Sequence, residues 1–139
     1  MSRKFGFGRL LSRSTLIAIS VSALAAVSAV PAYASSGGGC AGGGYGYGTI
    51  YGCISASGST VLPDGYINWA YIPPNCSVAV ELVNSSGYVV ARGNYGCGAY
   101  HYGPLSVQEP SGTTWYSEIW VFSSNGNAVA ESPAEHLSY

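Results

Sequence analysis

Residues 49–131 are predicted to form an all-β domain, a small disulfide-stapled antiparallel β-sandwich of about seven or eight short strands that follows a cleaved signal peptide. Three observations lead there. Short runs rich in Val, Ile, Tyr and Trp recur with turn residues between them; no window keeps a helical period; and all four cysteines lie downstream of an export-type leader.

The leader occupies residues 1–34. Arg3, Lys4, Arg9 and Arg13 make a basic start, Thr15 to Val30 is apolar but short for a bilayer span, and Ala32-Tyr33-Ala34 supplies the small-x-small cleavage pattern. Cleavage after Ala34 leaves a secreted chain with no stable membrane anchor. Four of the five basic residues depart with the leader. Six acids then stand against one base, Arg92, a formal charge of −5. A nucleic-acid partner is disfavoured, because neutralising phosphates requires cations.

Residues 35–48 are dominated by glycine and read as a flexible Gly/Tyr-rich arm, since glycine loses much entropy on ordering and offers little to pack. Outside the cell, Cys40, Cys53, Cys76 and Cys97 are expected to pair. Three pairings are open, and the sequential one, Cys40 with Cys53 and Cys76 with Cys97, is favoured. No set of metal ligands at short spacing occurs, and no cofactor is expected.

Along the domain the expected strands are Thr49 to Ala56, Tyr66 to Ile72, Ser77 to Val83, Tyr88 to Arg92, Cys97 to Tyr102, Leu105 to Gln108, Thr113 to Ser123 and Ala128 to Glu131. Pro63-Asp64-Gly65 is read as a turn, Pro73-Pro74 as a crossover, and Asn125-Gly126 as a hairpin turn. Residues 132–139 read as a tail that Leu137 and Tyr139 could dock.

The hairpin between Cys76 and Cys97 admits a register test. Pairing Val83 with Tyr88 puts apolar or small residues on one side, with Glu81, Tyr88 and Arg92 on the other, and sets Glu81 diagonal to Arg92. A three-residue loop with Gly87 left-handed is the competing geometry and shifts the register by one. In the first register Cys76 faces Tyr95, so Cys97 reaches it only past a bend in Gly93 to Gly96.

Catalytic chemistry is thinly represented. His101 and His136 are the only imidazoles, no serine sits in a nucleophile elbow, and Glu109 and Glu118 flank a turn that could bring two carboxylates together. A small hydrolase is the weakest reading. Aromatic residues carry the stronger indication. Tyr66, Trp69, Tyr71, Tyr100, His101, Tyr102, Tyr116 and Trp120 are the candidate binding residues, because Tyr and Trp join a large apolar ring to a polar tip. Thr113 to Ser123 is bulky on both sides, as a doubly covered central strand or an aromatic face would be.

The chain is similar, in leader, glycine-rich start and paired cysteines, to many small exported proteins of Gram-positive bacteria. The function expected is a non-catalytic binding or structural module at or outside the cell surface, with cell-surface polysaccharide or another secreted protein as partner. The alternative is a secreted antimicrobial or inhibitor acting through a disulfide-held loop, Gly93 to Tyr102 or Pro110 to Thr114.

Overall fold

The computed structural model describes residues 36–139, so the expected leader lies outside the described residues. The strands are β1 (Ser36–Gly37), β2 (Gly39–Tyr45), β3 (Gly48–Ser57), β4 (Thr60–Trp69), β5 (Ser77–Asn84), β6 (Val89–Gly96), β7 (His101–Tyr102), β8 (Val107–Gln108), β9 (Thr114–Phe122), β10 (Ala128–Glu131) and β11 (Glu135–His136). There is no helix among the described residues. One antiparallel sheet runs β1-β11-β9-β5-β6, with β10 also on β9; the other runs β2-β3-β4-β7, with β8 also on β4. The two sheets pack face to face, as the sequence predicts.

Strand alternation builds the core. Val78, Val80 and Leu82 of β5 and Trp115, Ile119 and Val121 of β9 face Ile50 and Ile54 of β3 and Val61 and Ile67 of β4. The apolar residues fall into two clusters separated by a waist. There Gly52 and Gly65 let the sheets approach, and a Cβ on Gly52 would lie 2.7 Å from the Ala130 carbonyl oxygen. β9 is central in its sheet, with β5 on one side and β10 and β11 on the other, but only its Trp115, Ile119 and Val121 face is buried, while Tyr116, Glu118, Trp120 and Phe122 stay part-exposed.

Three local differences have physical causes. Pro63-Asp64-Gly65 is not a turn but the middle of β4. The Pro63 carbonyl accepts from the Leu105 N–H and the Ile67 N–H donates to the Tyr100 carbonyl, so alternate residues of β4 aim their backbone away from β3. The missing proline N–H therefore faces the gap between β7 and β8, and the β3–β4 ladder loses no bond.

The glycine-rich segment is likewise paired where a flexible arm was expected. β2 pairs with β3 from Gly39↔Ile54 to Tyr45↔Gly48. Its ordering entropy is offset by Cys40–Cys53, placed directly across the pair, and by Tyr47, which is buried and donates its hydroxyl to the Gly126 carbonyl at 2.7 Å. The tail docks too: β11 joins β1 to β9, and Leu137 is fully buried.

The third difference is the β5–β6 register. Asn84 and Tyr88 close a three-residue loop with Gly87 at φ 82°. That loop alone would place Arg92 opposite Val80, on the wrong face. A bulge corrects it: Val83 pairs with Val89 but Leu82 pairs with Ala91, leaving Val90 extra. Glu81 then lies directly opposite Arg92, and Ser77↔Gly96 brings Cys97 across from Cys76. The expected bend in Gly93 to Gly96 is absent, and Cys76–Cys97 closes the base of the hairpin. The sequential disulfide pairing holds at both bridges.

Candidate functional site

The alternation that sends Ile50, Ile54, Val61 and Ile67 inward sends Tyr51, Cys53, Asp64 and Tyr66 to the outer face of the second sheet. Two cross-strand rows result. Tyr51 pairs with Tyr66 and Tyr66 with His101; Cys40 pairs with Cys53 and Cys53 with Asp64. The His101 ring stacks on Tyr66 at 4.5 Å and 13°, and Tyr100 tilts against Tyr66 at 5.4 Å. Asp64 Oδ2 accepts from His101 Nε2 at 2.8 Å, which fixes the imidazole over the phenol. Burial, followed by the Asp64 charge, raises the Tyr66 phenol pKa.

Beside this cluster lies a cleft of about 270 Å³, lined by Gly39, Cys40, Cys53, Ile54, Ser55, Asp64 and Tyr66. The Cys40–Cys53 bridge forms part of its lining. Tyr100 is 63% exposed and Tyr51 40%, so the ring cluster is open to solvent. Tyr66 and Asp64 thus belong both to the cleft lining and to an open cluster with Tyr100 and His101, a combination able to stack on and hydrogen-bond a polyhydroxylated ligand.

The other candidate residues fall elsewhere. Tyr102 is a core residue, not a surface one: it follows His101 in β7, so alternation turns it inward against Tyr95. Trp69 packs against the core and donates Nε1–H to the Ala99 carbonyl at 2.8 Å. Tyr71 lies past the end of β4, edge-on to Tyr47 and half exposed. Tyr116 and Trp120 are on the outer face of the first sheet, away from the Tyr66 cluster.

That outer face carries one continuous polar row. Arg92, Glu81, Glu118 and Glu131 stand at directly opposed positions across β6, β5, β9 and β10. Arg92 donates to Glu81 at 2.7 Å and lies over the Phe122 ring, while Trp120 stacks on Phe122 and donates to Glu118 Oε2. Glu109 and Glu118 are not brought together, since Glu109 follows β8 in the second sheet. His136 is held by Thr114 through Nδ1 at 2.9 Å.

Burial pushes the Glu81 carboxyl up even beside Arg92, and burial followed by the Glu118 charge pushes Glu131 up. Glu109 is raised by burial as well. Groups raised in the native state bind protons before the unfolded chain does, so their contribution to stability increases as pH falls from neutral through the raised values to about 4.3, the ordinary value. Glu131→Gln removes a like charge opposite Glu118 and is expected to stabilise the protein by about 0.5 kcal/mol at pH 7. Urea unfolding at pH 7 and pH 5 checks it: the gain should shrink at the lower pH.

Asp64 and Tyr51 belong to the outer-face cluster and were not among the residues singled out from sequence. Their signal was the alternation Tyr51-x-Cys53 and Asp64-x-Tyr66, visible only once Pro63 is accepted inside a strand. Comparison with known proteins finds no matching family model, curated protein or solved structure, so a functional reading has the geometry alone to stand on.

Proposed function

We propose that the protein is a secreted, non-catalytic module that binds carbohydrate through the outer face of its second sheet. The observation that carries the reading is the solvent-open cluster of Tyr66, Tyr100 and His101, held by Asp64 at the mouth of the cleft. Sugar rings present C–H faces that stack on aromatic rings and hydroxyls that hydrogen-bond a carboxylate and phenols. Two disulfides suit an extracellular setting. Rigid strands, not loops, position the rings, so little ordering entropy opposes binding.

The test is retention on insoluble polysaccharides and cell-wall material, followed by calorimetry with soluble oligosaccharides. Tyr66→Ala and Tyr100→Ala should each weaken binding about tenfold, the loss of one stacking anchor. Trp120→Ala, on the opposite outer face, should leave affinity unchanged. Failure of the wild-type protein to be retained on any polysaccharide would overturn the reading.

A further inference from the structure

We infer that the cleft selects a protonated amine, so that the carbohydrate it takes is an amino sugar carrying a free ammonium group. The inference rests on the carbohydrate reading above and narrows it. Three independent features of charge and burial meet at this place.

The first is Asp64. Its side chain is 18% exposed and lines the cleft, with Oδ2 engaged by His101. The second carboxylate is hidden behind the wall that Gly39 and Ile54 present to the cleft. Glu135 is 2% exposed and turned inward by β11, and its Oε1 has no hydrogen-bond partner among the described residues. Gly38 leaves room for this carboxylate: a Cβ there would collide with Glu135 Oε2 and lie 2.7 Å from the Ile54 carbonyl oxygen. Glu135 Oε1 is thus a buried polar atom with no donor among the described residues, on a carboxylate close to the Ile54 backbone that lines the cleft.

The third feature is the absence of compensation. Arg92 is the only Lys or Arg among the described residues, and it is committed to Glu81 on the outer face of the other sheet. No Lys or Arg side chain among the described residues therefore answers Asp64, whose one ion-pair partner is His101. Apolar walls from Cys40–Cys53 and Ile54 lower the local dielectric, and the Tyr66 ring adds a cation-attracting π-face. An anionic uronate would be repelled by this cleft. A neutral sugar would stack and offer Asp64 only neutral hydroxyls, whereas an ammonium would make the stronger charge-assisted hydrogen bond to it.

The experiment compares glucosamine oligomers with N-acetylglucosamine oligomers of equal length by calorimetry on the disulfide-bonded protein. The free-amine series should bind at least tenfold more tightly, and 0.5 M NaCl should erode that preference. Asp64→Asn should abolish the preference, bringing the free-amine affinity down to that of the N-acetylated series in the same variant. Ser55→Lys, which puts a tethered ammonium beside the cleft from an exposed strand position, should do the same without touching Asp64. Tyr100→Ala should weaken both series equally. Equal binding of the two series, or a preference that survives Asp64→Asn and Ser55→Lys, overturns the amine inference while the carbohydrate reading stands. Binding of neither series, with none to any other polysaccharide, removes both.

Discussion

Replacing Gly52 by alanine is expected to destabilise the protein by about 3 kcal/mol, the upper part of the range for overpacking a core. Gly52 is buried on the inner side of β3, and its backbone is ordinary, so conformational freedom is not what requires glycine there. Space is. A Cβ would stand 2.7 Å from the Ala130 oxygen, 2.9 Å from the Ser117 oxygen and 3.0 Å from the Ser132 nitrogen. The Ser132 N–H donates to the Ser117 carbonyl at 2.8 Å, so moving either atom breaks a buried bond.

Gly65, across the β3–β4 pair, offers the control. Its Cβ would meet Ile119 Cδ1 at 2.5 Å and Ile119 Cβ at 2.9 Å, and the first of these is the end of a side chain. Gly65→Ala should therefore cost at least about 1 kcal/mol less in an Ile119→Val background than in the wild type, whereas Gly52→Ala should gain no such relief. Thermal unfolding reads both effects: 3 kcal/mol corresponds to a fall of roughly 15 °C for a domain of this size. A cost below 1 kcal/mol for Gly52→Ala would mean that the sheets do not pinch at this waist.

The contrast between what alternation reveals and what it hides runs through the same residues. The two residue sets of β9 could be separated in advance, because Trp115, Ile119 and Val121 alternate with Tyr116, Glu118 and Trp120, but which set faced the core could not, since both are bulky. The polar face of the β5–β6 hairpin was legible from its alternation. Its register was not: the Gly87 loop sets one register, the face pattern demands another, and only the bulge at Val90 reconciles them. Nothing local to Val90 marks it as the extra residue.

Pro63 and the glycines of β2 were misread because their usual penalties are lifted by neighbours distant in sequence. Pro63 is tolerated because β7 and β8 leave a gap where its N–H would point. β2 orders because Cys53 and the Tyr47 anchor hold it. The candidate site depends on both exceptions, since Asp64 sits beside Pro63 and Gly39 and Cys40 belong to β2. Sequence alone therefore marked Tyr66, Tyr100 and His101 as candidates, but could not show that they share a surface with Asp64 and a cleft.

The two disulfides are expected to separate into one that supports the site and one that supports the fold. Each closes a loop whose constraint on the unfolded chain corresponds to about 3 kcal/mol, with sequence separations of 13 and 21 residues. Cys76–Cys97 ties β5, fully flanked by β6 and β9, to an edge strand with its own ladder of backbone bonds. Removing it with Cys76→Ser and Cys97→Ser should lower global stability by about that amount and leave oligosaccharide affinity intact wherever the protein remains folded. Cys40–Cys53 instead ties a glycine-rich edge strand that buries little apolar surface of its own. In the Cys40→Ser and Cys53→Ser variant, β2 should open below the global unfolding transition. Amide exchange would then show protection lost in residues 39–45 while β5 and β9 remain protected. Because Gly39 and Cys40 form one wall of the cleft, ligand affinity should fall together with that protection, before the rest of the sandwich melts. Exchange that rises uniformly across both sheets would show instead that β2 is cooperative with the core.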